Sequence, residues 1–164
     1  MTVRKKRLVG FILLLCLSAA LLSACQPVRS EAELGNAALA EKEQFTKVAM
    51  GLEEAYQAGD LDRTIAYYAD DAVSQPPGFP TSHGKEAIKA DYKAFFATYN
   101  FSRDFKLAGV TIDGDTATRF GEWTQVLTPK DGSAPTTEVG RCVVGFKKVD
   151  GEWKVAYEIW NTYN

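Results

Sequence analysis

The sequence predicts an α+β domain: three N-terminal helices packed on one face of a curved antiparallel sheet that encloses a cavity. Three observations carry this. Apolar residues recur at helical spacing as far as about Tyr99 and at spacing two from Phe101 onward. Asp113-Gly114 and Asp150-Gly151 stand between alternating runs, where tight hairpin turns belong. Helical and extended segments are therefore segregated along the chain, the pattern of helices laid on an antiparallel meander. Strands that bend around helices form a cone with its cavity at the wide end.

The elements follow in order. Arg4, Lys5, Lys6 and Arg7 form a positive cluster, and Leu8 to Leu22 is a 15-residue apolar run. Ser23 and Ala24 are small residues suited to cleavage, so residues 1–24 have the layout of a secretory signal. The run is shorter than the roughly 20 residues of a membrane-spanning helix. Leu22-Ser23-Ala24-Cys25 resembles the lipobox of bacterial lipoproteins. That resemblance implies lipidation of Cys25, cleavage before it and an exported, membrane-anchored protein, since two or more acyl chains hold durably. Gln26 after the cysteine, in place of Asp, implies the periplasmic side of the outer membrane if the host is Gram-negative.

Residues 25–35 are polar and hold Pro27, Ser30 and Gly35, reading as a lipidated cysteine and tether. The domain is expected over 36–164. Asn36 is the expected N-cap of a first helix carrying Phe45, Val48, Ala49, Leu52 and Tyr56, with Gly51 inside it at a cost of about 1 kcal/mol. Gly59 ends that helix, and Asp60 caps a shorter one with Leu61, Ile65 and Tyr68 on one face. Ala72-Val73-Ser74 is a short extended piece, and Pro76, Pro77 and Pro80 keep Gln75 to Gly84 a loop. A third helix from about Lys85 to Tyr99 turns Ile88, Tyr92, Phe95, Phe96 and Tyr99 inward.

Phe101, Arg103, Phe105 and Leu107 then alternate, and the phase shifts by one at Val110 and Ile112, which predicts a bulge near Ala108-Gly109. Strands follow over 116–127, 138–149 and 152–163. The last two have apolar residues on both faces, so the face away from the helices needs cover, most simply from a second copy in a homodimer.

Removing residues 1–24 leaves 140 residues, one domain in size, and takes the net charge from −2 to −6. An acidic surface excludes nucleic acid as a partner. Cys142 is the cysteine left after Cys16 departs and Cys25 is lipidated, so no intrachain disulfide is expected; its apolar flanks read as a buried, inert thiol. A single histidine, His83, and scattered acids make no metal cluster, and no phosphate-binding loop or Ser-His-Asp pattern appears, so no cofactor is expected.

Tyr56-Gln57-Ala58-Gly59-Asp60-Leu61-Asp62, Tyr68-Ala69-Asp70-Asp71-Ala72-Val73, Pro76-Pro77-Gly78 and Gly84-Lys85-Glu86-Ala87-Ile88 together resemble the NTF2-like superfamily, in its SnoaL-like, DUF4440 branch. So do Phe146-Lys147-Lys148, Asp150-Gly151-Glu152-Trp153-Lys154-Val155 and Glu158-Ile159-Trp160-Asn161. The resemblance spans about Phe45 to Asn164 and implies the cone fold. In ketosteroid isomerase, of the same superfamily, a base Asp works with an oxyanion hole of a Tyr and a protonated Asp. By that resemblance the Tyr position falls near Leu52, the base near Pro76 and the protonated Asp within Val144 to Phe146, and none carries the required residue.

The expected pocket is walled by Leu52, Tyr56, Tyr68, Ser74, Phe95, Phe96, Trp123 and Trp160, with Arg141 and Glu158 as its polar groups. The resemblance implies an acid where Glu158 stands. Candidate catalytic residues are Glu158, Arg141 and Glu122; Arg141 and Glu158 form a buried pair if both face inward, which alternation does not decide for the last strand. The leading expectation is a membrane-tethered domain binding a small apolar or amphipathic molecule. An acid–base enzyme of isomerase, cyclase or dehydratase type in the same cavity, and a protein-interaction or dimerisation module using the open sheet face, are the alternatives.

Overall fold

The computed structural model of the protein describes residues 30–163. The signal segment and Cys25 lie outside the described residues. The order is α1 (Glu31–Gln57), α2 (Leu61–Ala66), β1 (Tyr68–Gln75), β2 (Ser82–His83), α3 (Lys85–Thr98), β3 (Tyr99–Asp113), β4 (Thr116–Pro129), β5 (Thr136–Val149) and β6 (Glu152–Thr162). The strands form one sheet in the order β2-β1-β6-β5-β4-β3, with the helices on its inner face. The α+β cone is as expected.

Helix α1 begins before the expected Asn36. Ser30 caps it instead, accepting from the Glu33 N–H while the Glu33 carboxylate accepts from the Ser30 N–H at 2.8 Å. This reciprocal pair, with Glu31 and Glu33 at the positive end of the helix dipole, stabilises the extra turn. Residues 31–35 are thus helix rather than loose tether, and residues 31–40 are all exposed, projecting about 15 Å. Packing begins with Phe45, which is fully buried between Phe146 (4.9 Å) and Trp153 (5.3 Å), both edge-on. Gly51 is kept small by Tyr67: a Cβ there would lie 2.4 Å from the Tyr67 hydroxyl.

The sheet is mixed rather than wholly antiparallel. The extended piece expected at Ala72–Ser74 is a full strand, β1, pairing parallel with β6: Tyr68 with Val155, Ser74 with Glu158. A strand that precedes the meander by a helix can enter the sheet beside the last strand in either direction, which local pattern does not encode. His83, expected on a surface loop, is exposed on the two-residue β2, opposite Val73.

Two register shifts place the functional side chains. One lies between Leu107 and Gly109 in β3, where the alternation predicts it. The other lies in β6, where Val155 pairs with Phe146 but Tyr157 with Gly145. Trp153 and Val155 face inward; the extra residue at Ala156 then turns Tyr157 and Ile159 outward and Glu158 inward. Gly145 makes this possible on the outer side, since a Cβ there would lie 2.1 Å from the Tyr157 ring.

Candidate functional site

Inside the cone, β6 presents Glu158, β1 presents Tyr68 and Ser74, and α3 presents Tyr92. The Tyr68 hydroxyl donates to Glu158 Oε2 at 2.8 Å and the Ser74 hydroxyl to Oε1 at 2.8 Å. The Tyr92 hydroxyl lies 3.4 Å from Oε1 and 2.7 Å from that of Tyr68. Burial pushes the Glu158 carboxyl above the ordinary carboxylate range, while the hydroxyls of Tyr68 and Ser74 and the charge of Arg119 pull the other way without cancelling it. Burial likewise raises the phenols of Tyr68 and Tyr92 well above their usual value, so both remain donors. Each oxygen of this carboxyl is taken up by protein hydroxyls. That arrangement orients the carboxyl and holds it inside the buried core.

A second cluster stands beside it. Arg103 on β3 and Arg119 on β4 share Glu53 of α1: Arg103 Nε lies 2.9 Å from Glu53 Oε1 and Arg119 Nη2 lies 3.5 Å from Oε2. The Arg103 pair is an ion contact rather than a linear hydrogen bond, because both atoms lack an aligned partner. Arg119 also donates to the Ala49 carbonyl at 2.9 Å. The Arg103 guanidinium lies 4.8 Å from the Trp123 ring, 5.0 Å from Tyr56 and 5.8 Å from Phe105. Tyr56 in turn contacts Tyr92, Phe95, Phe96 and Phe101 at 4.9–6.0 Å, and all five rings are half-buried. This aromatic group, drawn from α1, α3 and β3, lies at the margin of the buried core.

The expected pocket residues divide accordingly. Tyr56, Tyr68, Ser74, Phe95, Phe96, Trp123 and Glu158 come together on the inner side, and Trp160 packs half-buried beside the core. Leu52 is in the packed core itself. Arg141 and Glu122 do not join them. Arg141 pairs in register with Asn161 and Glu122, while Glu158 pairs with Val144, so the expected Arg141–Glu158 pair is on opposite faces. Arg141 is exposed and stacks on Tyr163 at 4.9 Å. With Glu122, Phe120, Val143, Ile159 and Asn161 it lines a shallow outer depression of about 430 Å³, away from the buried carboxyl. Cys142 is buried, and burial raises its thiol.

Arg103, Arg119, Glu53 and Gln125 escaped the sequence reading. Their signal was present: Arg103 shares the apolar phase of Phe101 and Phe105, Arg119 that of Ala117 and Trp123. A charge in an inward phase is worth more attention than a charge beside an aromatic. Among the described residues no group of three or more His, Cys, Asp or Glu side chains is placed to hold a metal ion, and no helix is long and apolar enough to cross a membrane.

The SnoaL-like domain family model matches residues 51–156. No curated protein matches the chain in sequence. Among solved structures, a ketosteroid isomerase-like protein from Erwinia carotovora atroseptica superposes with a TM-score of 0.70 at 22% identity, covering 74% of this chain and 95% of that one. An NTF2-like protein with a cystatin-like fold from Novosphingobium aromaticivorans gives 0.66 at 18% identity, covering 82% and 91%. A hexachlorocyclohexane dehydrochlorinase from Novosphingobium barchaimii gives 0.66 at 15% identity, covering 77% and 88%. At these identities the likeness is one of fold.

Proposed function

The chain belongs to the SnoaL-like domain family, and from that premise we propose that it binds a small apolar or amphipathic molecule at the aromatic margin of its core without transforming it. The observation that carries this is the half-buried group of Tyr92, Phe95, Phe96 and Phe101 around Tyr56, whose ring in turn carries the Arg103 guanidinium. It offers flat apolar surface with a single strong polar anchor, the composition of a ligand site. The burial of Glu158 supports binding over acid–base turnover, because a catalytic carboxyl has to reach its substrate. Titration of the protein with an uncharged apolar fluorescent probe such as N-phenyl-1-naphthylamine, read by tryptophan quenching, tests the reading. Saturable binding abolished by Phe96→Asp is expected; no binding up to millimolar probe overturns it.

Two further parts of the reading lie outside the cone. The outer sheet face exposes Phe120 (42%), Val143 (40%), Tyr157 (47%) and Ile159 (45%) side by side. It also carries Glu122 and Arg141 as cross-strand neighbours without a salt bridge between them. In a two-fold pair each finds its opposite in the other copy, so this face supports a homodimer. The lipobox at Leu22–Cys25 supports export and a lipid anchor on Cys25.

A further inference from the structure

We propose that the molecule taken up at this aromatic margin is a carboxylic acid, its carboxylate held by Arg103 and its apolar body by the surrounding rings; this rests on the binding reading above. Arg103 sits where a recognition residue belongs. Its Nε is turned toward Glu53, and its guanidinium also engages the Tyr56 hydroxyl. Its side chain keeps 12% of its surface accessible, whereas that of Arg119 keeps 4% and is fastened to Ala49 and Glu53. Of the five N–H groups of the guanidinium, those not turned to Glu53 or Tyr56 are the donors still available. Those groups form the planar fork that a carboxylate matches with two parallel hydrogen bonds.

Charge points the same way. Two guanidinium groups share one glutamate, so the cluster carries one positive charge in excess. The other carboxyl nearby, Glu158, is held by the hydroxyls of Tyr68 and Ser74 rather than by either guanidinium. Glu138, half-buried on β5, keeps its charge but stands one strand beyond Gln125, whose amide donates to it at 2.9 Å, and it forms no salt bridge with Arg103 or Arg119 among the described residues. Beneath Arg103, the Trp123 indole N–H is buried without an acceptor, as is the Gln125 carbonyl oxygen opposite Arg103 in register. A buried donor without a partner is costly. An anion bound among rings is also less screened than one at the open surface.

The test uses matched ligands on the full chain: 3-phenylpropionate against 3-phenylpropionamide, and octanoate against octanamide, by titration calorimetry at low salt. Each acid is expected to bind about tenfold or more tightly than its amide, the scale of a charge-assisted hydrogen-bond pair. Raising the salt to about 0.5 M should narrow the gap. Arg103→Gln should remove the preference while retaining amide binding, and Arg103→Lys should restore part of it. Equal binding of acid and amide by the unaltered protein overturns this proposal and leaves the binding reading standing. Binding of neither overturns both. The unaltered protein decides the question even if Arg103→Gln fails to fold.

Discussion

Glu53→Gln is the sharpest perturbation of the interior. Glu53 is 3% exposed and is the only carboxylate salt-bridged to Arg103 and Arg119 among the described residues. The amide keeps the shape and removes the charge, so two largely buried guanidinium groups lose their counter-charge. Removing one partner of a buried pair costs about 3–5 kcal/mol. Two features place this case at the lower end. Arg119 retains the Ala49 carbonyl at 2.9 Å, and Arg103 retains its rings and an opening to solvent. A loss of about 3 kcal/mol is expected. At about 3–5 °C per kcal/mol for a domain of this size, that lowers the thermal midpoint by about 10–15 °C. Urea unfolding followed by tryptophan emission measures it, with an unchanged denaturant slope showing that the compact state is the same. Arg119→Met alone and combined with Glu53→Gln completes a double-mutant cycle, with coupling above about 1 kcal/mol expected. A loss below about 1 kcal/mol in Glu53→Gln, or additivity within about 0.5 kcal/mol, would refute the idea that this charge organises the interior.

Three other outcomes are expected. The carboxyl of Glu158 has a raised pKa in the folded state, so its contribution is fully present below the ordinary carboxylate pKa and is lost as pH rises through the raised value. Glu158→Gln should therefore gain on the unaltered protein between pH 5 and pH 8.5 in urea midpoints, and an equal difference at both pH values would count against a raised pKa. Val143→Glu, on the exposed outer face, should turn a dimer into a monomer by light scattering; an unaltered protein that is already monomeric at about 100 μM removes the dimer reading. Cys25→Ala should release the protein from the membrane fraction, and its persistence there after processing would remove the anchor.

Much of the fold was legible because its signals are local. The alternation of Phe101, Arg103, Phe105 and Leu107, broken before Val110, located the β3 bulge. Asp150-Gly151 located a turn in which both residues have positive φ, at 51° and 82°. Asp60 was readable as a cap, and its side chain accepts from the Arg63 N–H at 3.1 Å. Ser30 rather than Asn36 caps α1 because Glu33, three residues on, completes the reciprocal pair. The buried, apolar setting of Cys142 was likewise visible in its neighbours.

The site was legible only in part. Aromatics at helical spacing named Tyr56, Phe95 and Phe96, since burial of large rings follows from period alone. The sequence by itself determined the family, the order of elements, the inward rings and the presence of an acid at 158. Only the tertiary structure decided which way that acid points. One extra residue at Ala156 inverts the alternation of β6, sending Glu158 to Tyr68 and Ser74 and leaving Arg141 on the far side of the sheet. A strand apolar on both faces carries no internal mark of its register. That mark is in the partner strand, where Gly145 has room for the ring of Tyr157 and no other side chain would leave it.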